Sequence, residues 1–513
     1  MSDYEIVSVS YLTINLMKFN WLAAFSKAGF LMLFFNTQVP AGLAAVNLNL
    51  GRHSVAQTEK SSESICTAQI KTAIDGVINR PQFRRARWGI LIESLLPTAT
   101  NSPLYNHDAE RFFIPGSNVK LLTTAAALRQ LGTSFRIRTS VYQMAGGVLR
   151  VVGRGDPSLQ DVQLKDLAQQ LKRQGIKNVQ QLIVDDGYFR GDNINLTWDW
   201  QDVQSDYGTA VNSLILNQNA VELTLSPQQI GQPLRVSWAD RIAFSQWQIE
   251  NTSVTAGVGT KNSITVTAVL AQPLLEIKGQ IAVDAEAEII GLPIINPAQY
   301  FLAHFREALV AQGISVAQAS VASSQGTAEG KEVATIESPP LAKLLVETNQ
   351  QSNNLYAEAL LRTLGVSNSG DSTELGVKKL VETLTALGVN PQSYNLIDGS
   401  GLSRQNLVSP EAIVQTLKGM AQTPESSIYR ASLSTAGVNG TLRRRFLNTV
   451  GVGNLQAKTS TLTGVSALSG YLDIPGFQPV VFSLMVNQSE QSSTIQRQAI
   501  DEIILLLTRL RDC

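Results

Sequence analysis

The sequence predicts an α/β protein whose main domain is divided in the chain by a long insertion. Three observations predict it. Helical spacing near the start of the mature chain is followed by a strand-like run at 88–95 and an apolar helix at 121–128. From Asn219 to Ile290, Val, Thr and Leu segments alternate between Gly, Pro and Asn, which reads as a small β unit. Helical periodicity then returns over 340–420, and strands near 455–487 precede a closing helix. At 513 residues the chain has room for two or three domains with substantial cores.

Taken in order, residues 1–44 read as an export signal. Lys18 and Lys27 flank Trp21 to Phe25, Ala28 to Phe35 is an unbroken apolar run, and Gly42-Leu43-Ala44 supplies small residues of the kind a signal peptidase reads. Met17-Lys18 opens a more ordinary signal peptide than Met1 does. The run is short for a bilayer span, and an uncleaved anchoring helix is the alternative. Residues 45–62 are polar and read as a linker. Cys66, Ile70, Ala73, Ile74 and Val77 follow helical spacing until Pro81 stops the helix. Trp88 to Leu95 reads as a strand. After Gly132 come short strands at Phe135 to Tyr142 and Val148 to Val152, a helix at Leu164 to Gln174, and a strand at Gln181 to Asp185. Pro297 to Gln312 reads as a helix, and the last helix as Ser493 to Arg511, with Ile495, Ala499, Ile503, Leu506 and Leu510 on one face. The expected division is 63–138 for the first part of the main domain, 139–218 and 291–335 for an inserted domain, 219–290 for a β-rich domain nested inside it, and 336–513 for the rest of the main domain.

The 41 basic and 41 acidic residues cancel without a basic stripe, so nucleic acid is not an expected partner. Two cysteines and three scattered histidines show no metal-ligand spacing; neither metal nor cofactor is expected.

Three short motifs carry chemistry: Ser117-Asn118-Val119-Lys120, Ser352-Asn353-Asn354 and Lys458-Thr459-Ser460. Each alone is weak, and Ser-x-x-Lys and Ser-x-Asn are each expected by chance on the order of once in a chain this long. Their order and settings carry the weight. Pro115-Gly116 is a turn signal, and the helix that follows puts the Lys120 ammonium one turn above the Ser117 hydroxyl. Ser117 is thus expected exposed at a helix N-terminus, where free N–H groups favour developing negative charge. His53, His107 and His304 lie in no recognisable nucleophile–base setting, which disfavours a Ser-His-Asp triad. The pattern points to a serine nucleophile with a lysine base.

With these motifs stand Gly153-Arg154-Gly155-Asp156-Pro157-Ser158-Leu159, Gln351-Ser352-Asn353-Asn354-Leu355-Tyr356-Ala357-Glu358, Asp398-Gly399-Ser400-Gly401-Leu402-Ser403-Arg404 and Ala436-Gly437-Val438-Asn439-Gly440-Thr441-Leu442. From about residue 65 to 510 the chain resembles penicillin-binding proteins of the D-alanyl-D-alanine carboxypeptidase/endopeptidase type, the class C low-molecular-weight group of peptidase family S13. The resemblance implies a serine β-lactamase/DD-peptidase-like transpeptidase domain of α/β class with two nested inserted domains. It also implies an exported serine peptidase that acts on peptidoglycan stem peptides and takes β-lactams as covalent inhibitors.

On that resemblance Lys120 takes the proton as Ser117 attacks the carbonyl between two terminal D-alanines. A lysine pKa near ~10.4 must fall for this, and burial and the nearby Lys458 both lower it. Ser352 relays the proton to the departing amine, and Asn354 positions the relay. Lys458, with the Thr459 and Ser460 hydroxyls, holds the terminal carboxylate. The N–H groups of Ser117 and Thr461 form the oxyanion hole. Asp202, Tyr207 and Arg404 occupy the places of residues that grip the far end of the stem peptide. The family's third motif usually ends in glycine, and Ser460 stands there in this chain; a modest change of rate or specificity is expected.

Two other functions fit the same nucleophile, a serine β-lactamase and a catalytically idle wall-binding homologue. No glutamate is placed as a dedicated deacylating base, and the insertion argues against the first. In the fold implied, the first and last helices pack together, which would bring Cys66 and Cys513 close. A bridge and a pair of free thiols both remain open.

Overall fold

The computed structural model describes residues 64–96, 102–270, 272–323 and 330–513. The expected signal peptide and linker lie outside the described residues, as does His53.

The main domain is built on a six-stranded antiparallel sheet in the order Ser434–Thr435, Leu455–Leu462, Val465–Leu472, Val480–Asn487, Arg87–Ser94, Tyr105–His107. Both ends of the chain therefore contribute strands to one sheet. Val465–Leu472 and Val480–Asn487 are buried at every position, because helices cover both faces. On one face Ile90, Ile92, Leu468, Phe482 and Leu484 meet Ile70 and Ile74 of helix Thr67–Ile78 and Ile500 and Ile503 of helix Ser493–Leu507. On the other, Leu91, Ala467, Val481 and Met485 face the helix Val119–Leu131 and its neighbours Leu341–Gln350, Asn354–Leu364, Ser372–Ala386 and Pro410–Ala421. Val119–Leu131 is buried continuously from Val119 to Leu128, as its unbroken apolar and threonine run requires.

Between these parts lies a five-stranded mixed sheet in the order Ser315–Ala322, Asn178–Asp185, Val148–Val152, Arg138–Met144, Lys331–Glu337, with helices Asp161–Arg173 and Pro297–Ala311 packed on it. Inside that unit are a three-stranded sheet, Glu288–Pro293, Ala220–Ser226 and Arg235–Trp238, and a four-stranded one built around Leu274–Ala282. Val221, Leu223 and Leu225 turn inward from Ala220–Ser226, the period-two signature of a half-covered strand.

The closing helix departs from expectation. It ends at Leu507, and Leu510–Arg511 instead pairs in parallel with Ile65–Cys66. Leu510 is buried there as a strand residue, so its apolar character fitted the helical count for a different reason. The pairing brings Cys513 to Cys66 in a disulfide with Cα atoms 5.6 Å apart. Of the two readings left open by the sequence, the structure takes the bridge.

Candidate active site

Ser117 lies in the 3-10 turn Gly116–Asn118, just ahead of the helix that starts at Val119, and is half-buried where exposure was expected. The turn is pinned to the sheet. Asn118 Nδ2 donates to Ser469 Oγ at 2.8 Å, and Ser469 Oγ donates to Ser483 Oγ at 3.0 Å. Asn487 holds both backbone groups of Ile114, at 2.7 and 3.1 Å. Gly401 backs onto the turn so closely that a Cβ there would lie 1.9 Å from the Gly116 carbonyl oxygen.

One turn on, Lys120 is fully buried and spends its three donors on Ser117 Oγ (3.0 Å), Asn354 Oδ1 (2.7 Å) and the Ser400 carbonyl (2.7 Å). Ser352 Oγ donates to Ser117 Oγ at 3.1 Å, and Lys458 Nζ donates to Ser352 Oγ at 2.8 Å. Ser117, Lys120, Ser352, Asn354 and Lys458 thus form one hydrogen-bonded chain drawn from three distant motifs. Ser352 holds φ +58°, a left-handed conformation uncommon outside glycine, asparagine and aspartate. The next residue, Asn353, caps the helix Asn354–Leu364 by accepting from the Tyr356 N–H.

Electrostatics follow burial. Loss of solvent pushes Lys120 down to about 7, against the opposing pull of Asp398 and Glu358. Lys458, also fully buried, is held well below the ordinary lysine range by desolvation first and by Lys120 second. The expected cation effect therefore falls on Lys458; the charges acting on Lys120 are carboxylates.

The third motif lies on the strand Leu455–Leu462. The Leu455 carbonyl accepts from the Ala436 N–H, so alternate residues 457, 459 and 461 present their backbone groups to that edge. Ser434–Thr435 covers the edge only as far as Ala457. The Thr459 carbonyl is taken by Lys458 Nζ at 2.8 Å, and the Thr461 N–H shares its direction. Thr459 Oγ1 donates to Thr441 Oγ1 at 2.8 Å.

Ser460 lies on the inward side of that strand. It was expected to hold the substrate carboxylate, yet it is 4% exposed and packs behind the nucleophile turn. A Cβ on Gly116, whose φ is +48°, would lie 2.2 Å from Ser460 Oγ, so the serine fills space that the glycine leaves. Its hydroxyl is buried and has no hydrogen-bond partner.

Asp202, Tyr207 and Arg404 form a second group. Tyr207 OH donates to Asp202 Oδ1 at 3.1 Å, and Asn354 Nδ2 donates to the Tyr207 carbonyl at 2.9 Å, which joins this loop to the second motif. Burial raises the Asp202 carboxyl and pushes the Tyr207 phenol up to about 12. Arg404 bridges Asp199 Oδ2 and the Thr463 carbonyl, each at 3.1 Å. The sequence reading did not single out Asp199, Thr441, Asn487 or Glu358. Thr441 and Glu358 lie inside the matched segments, but only the folded chain shows what they touch.

The sequence from residue 70 to 509 matches the model of the D-Ala-D-Ala carboxypeptidase 3 (S13) family. The chain is 30% identical over 443 residues to a D-alanyl-D-alanine carboxypeptidase from an Actinomadura species, covering 82% of this chain and 81% of the relative. It is 28% identical over 461 residues to the penicillin-sensitive carboxypeptidase A of Dictyostelium discoideum, covering 82% and 87%. Its fold is similar to that of penicillin-binding protein 4 from Haemophilus influenzae, with a TM-score of 0.75 at 23% identity over 85% of this chain and 98% of that one. With most of its length matched, and with a serine, two buried lysines and a second serine joined at the junction of its motifs, the chain belongs to the D-Ala-D-Ala carboxypeptidase 3 (S13) family.

Proposed function

We propose that this chain is an exported serine DD-carboxypeptidase and DD-endopeptidase. It cleaves D-Ala-D-Ala ends or cross-links of peptidoglycan stem peptides through a Ser117 acyl-enzyme, and penicillin acylates the same serine. The observation that carries this reading is the Ser117 hydroxyl, which lies 3.0 Å from the Nζ of a buried lysine and 3.1 Å from the hydroxyl of a second serine. A lysine brought down to about 7 has a usable neutral fraction at physiological pH. In that form Lys120 accepts the Ser117 proton as Oγ attacks the peptide carbonyl. The tetrahedral oxyanion is received by the N–H groups of Ser117 and Thr461, each donor being worth ~3–4 kcal/mol of barrier. As the C–N bond breaks, Ser352 passes a proton to the leaving amine and takes in its place the one Lys120 had accepted, so Lys120 is neutral again for the second half; Lys458 holds the Ser352 hydroxyl in line. Lys458 and the Thr459 hydroxyl face the terminal carboxylate. Water then hydrolyses the ester and restores the Ser117 proton.

The inserted region, with boundaries proposed at 139, 219, 291 and 336, delivers the loop carrying Asp199, Asp202 and Tyr207. With Arg404 that loop offers both charges to the far end of a stem peptide. The Cys66–Cys513 bridge supports an extracytoplasmic location, where disulfides persist.

The test is a time course with a fluorescent penicillin. Wild type should hold the label for many minutes, and Ser117→Ala should take none while keeping its melting temperature. Rapid loss of label would instead favour a β-lactamase, and no label an idle homologue. Retention of about a tenth of the acylation rate by Ser117→Ala would name another nucleophile.

A further inference from the structure

Glu358 is 2% exposed on the helix Asn354–Leu364 and plays no part in the proton path above. Its Oε1 accepts two backbone N–H groups, from Gly399 at 3.0 Å and Ser400 at 2.8 Å. The carbonyls of those same residues are also taken. Thr123 Oγ1 donates to the Gly399 carbonyl at 2.7 Å, and Lys120 Nζ to the Ser400 carbonyl at 2.7 Å. The 399–400 segment is thus clamped by its N–H groups on one side and by its carbonyls on the other. The Ser400 carbonyl is the only acceptor of Lys120 that belongs to none of the three motifs.

Asp398, one residue earlier, cannot substitute for this clamp. Its two oxygens already receive the N–H groups of Gly401 and Ser403, Trp198 Nε1 and Asn406 Nδ2. The charged surroundings of the site are Asp398 and Lys120 across from Glu358, and Arg362 one turn along its own helix. Arg362 in turn faces Asp186, Asp192 and Asp371, while Lys458 stands behind Ser352. A carboxyl kept in a dry site beside a lysine is expensive to maintain, and here it touches the loop that receives that lysine.

We propose that Glu358 is a positioning residue for acylation: it aims the Ser400 carbonyl at Lys120, and its negative charge sets the pH at which Lys120 gives up its proton. The inference rests on the acyl-enzyme reading above. Burial, with Asp398 second, raises the Glu358 carboxyl, so the charge is strongest on the alkaline side of the working range.

Two variants separate the parts of the proposal. Glu358→Gln keeps an oxygen for both N–H groups and removes the charge. Its acid limb in the pH profile of fluorescent-penicillin acylation should move down by about one unit, with the plateau rate within about threefold. Thr123→Val releases the opposite side of the clamp without touching any charge. It should lower the plateau about tenfold and leave the limb in place. A Gln profile that overlays wild type within about 0.2 unit overturns the charge role. An unchanged Thr123→Val plateau overturns the aiming role. Should the Gln variant not fold, Glu358→Asp, whose carboxylate is drawn back by one methylene, tests the charge role: its acid limb is expected to move down, and a limb that overlays wild type overturns that role. A wild type that takes no label at all sinks the acyl-enzyme reading instead.

Discussion

Replacing Gly116 with alanine tests how Ser460 fits behind the nucleophile. A Cβ at Gly116 would lie 2.2 Å from Ser460 Oγ, well inside contact distance, on a residue whose φ is +48°. The left-handed backbone costs an L-residue roughly 1–2 kcal/mol, and overpacking a buried contact typically adds about 1–3 kcal/mol. Gly116→Ala should therefore destabilise wild type by roughly 2–5 kcal/mol and slow acylation sharply, because the turn that moves carries Ser117. In a Ser460→Gly background only the backbone share remains, about 1–2 kcal/mol. The coupling energy of the cycle should then be about 1–3 kcal/mol. Ser460→Gly alone removes a buried hydroxyl without a partner but loosens a strand, two effects of roughly 1 kcal/mol that oppose. Its acylation rate should stay level or rise. Urea denaturation of the four proteins gives the cycle, and stopped-flow labelling gives the rates. Equal cost of Gly116→Ala in both backgrounds, within about 0.5 kcal/mol, would refute the steric account. A more than tenfold loss of acylation in Ser460→Gly would make the hydroxyl a substrate contact after all.

Two further outcomes follow from features away from the nucleophile. Thiol titration of the denatured, unreduced protein should find no free thiol among Cys66 and Cys513. Reduction should cost at most about 5 kcal/mol for a bridge spanning 447 residues, and two titratable thiols would remove the bridge. His304 lies between Asp161 at 2.7 Å and Asp240 at 2.8 Å; burial alone would lower its pKa, but these two carboxylates together raise it to about 9. Its stabilising contribution is complete below about 6.5, the unfolded value, and fades as pH rises through about 9. His304→Gln should cost roughly 1–2 kcal/mol at pH 6, after allowance for solvent screening, and little at pH 10. A penalty that does not change with pH would refute the ion-pair origin.

Most of the fold was legible because its elements announce themselves locally. The helix Val119–Leu131 has Pro115-Gly116 before it and Gly132 after it, and the strands Val148–Val152 and Arg87–Ser94 lie close to their apolar runs. The five residues of the hydrogen-bonded chain were legible because three motifs name them. The inward placement of Ser460 was missed because the motif was read as a unit. Period two along a strand puts residues 458 and 460 on one side and 459 and 461 on the other, so the Ser460 side chain had to go inward with Lys458. Glu358 was invisible for a different reason: its partners lie 41 and 42 residues downstream, and nothing local distinguishes a clamp from an ordinary buried acid. The strand Leu510–Arg511 was missed because its partner is at the other end of the chain.

That arrangement of the sheet also sets an order of assembly. Arg87–Ser94 precedes the nucleophile turn in the chain, and it pairs with Val480–Asn487, which follows the third motif. Until the late strand arrives, the early one has no partner on that side. Asn487 is also the residue that fixes Ile114 ahead of the nucleophile turn. A chain made only as far as residue 337 can complete the inserted sheets, whose strands all lie between residues 138 and 337, but not the six-stranded sheet. The setting of Ser117 is therefore complete only once residue 487 has been made, and a chain cut short before residue 480 lacks the strand that holds it.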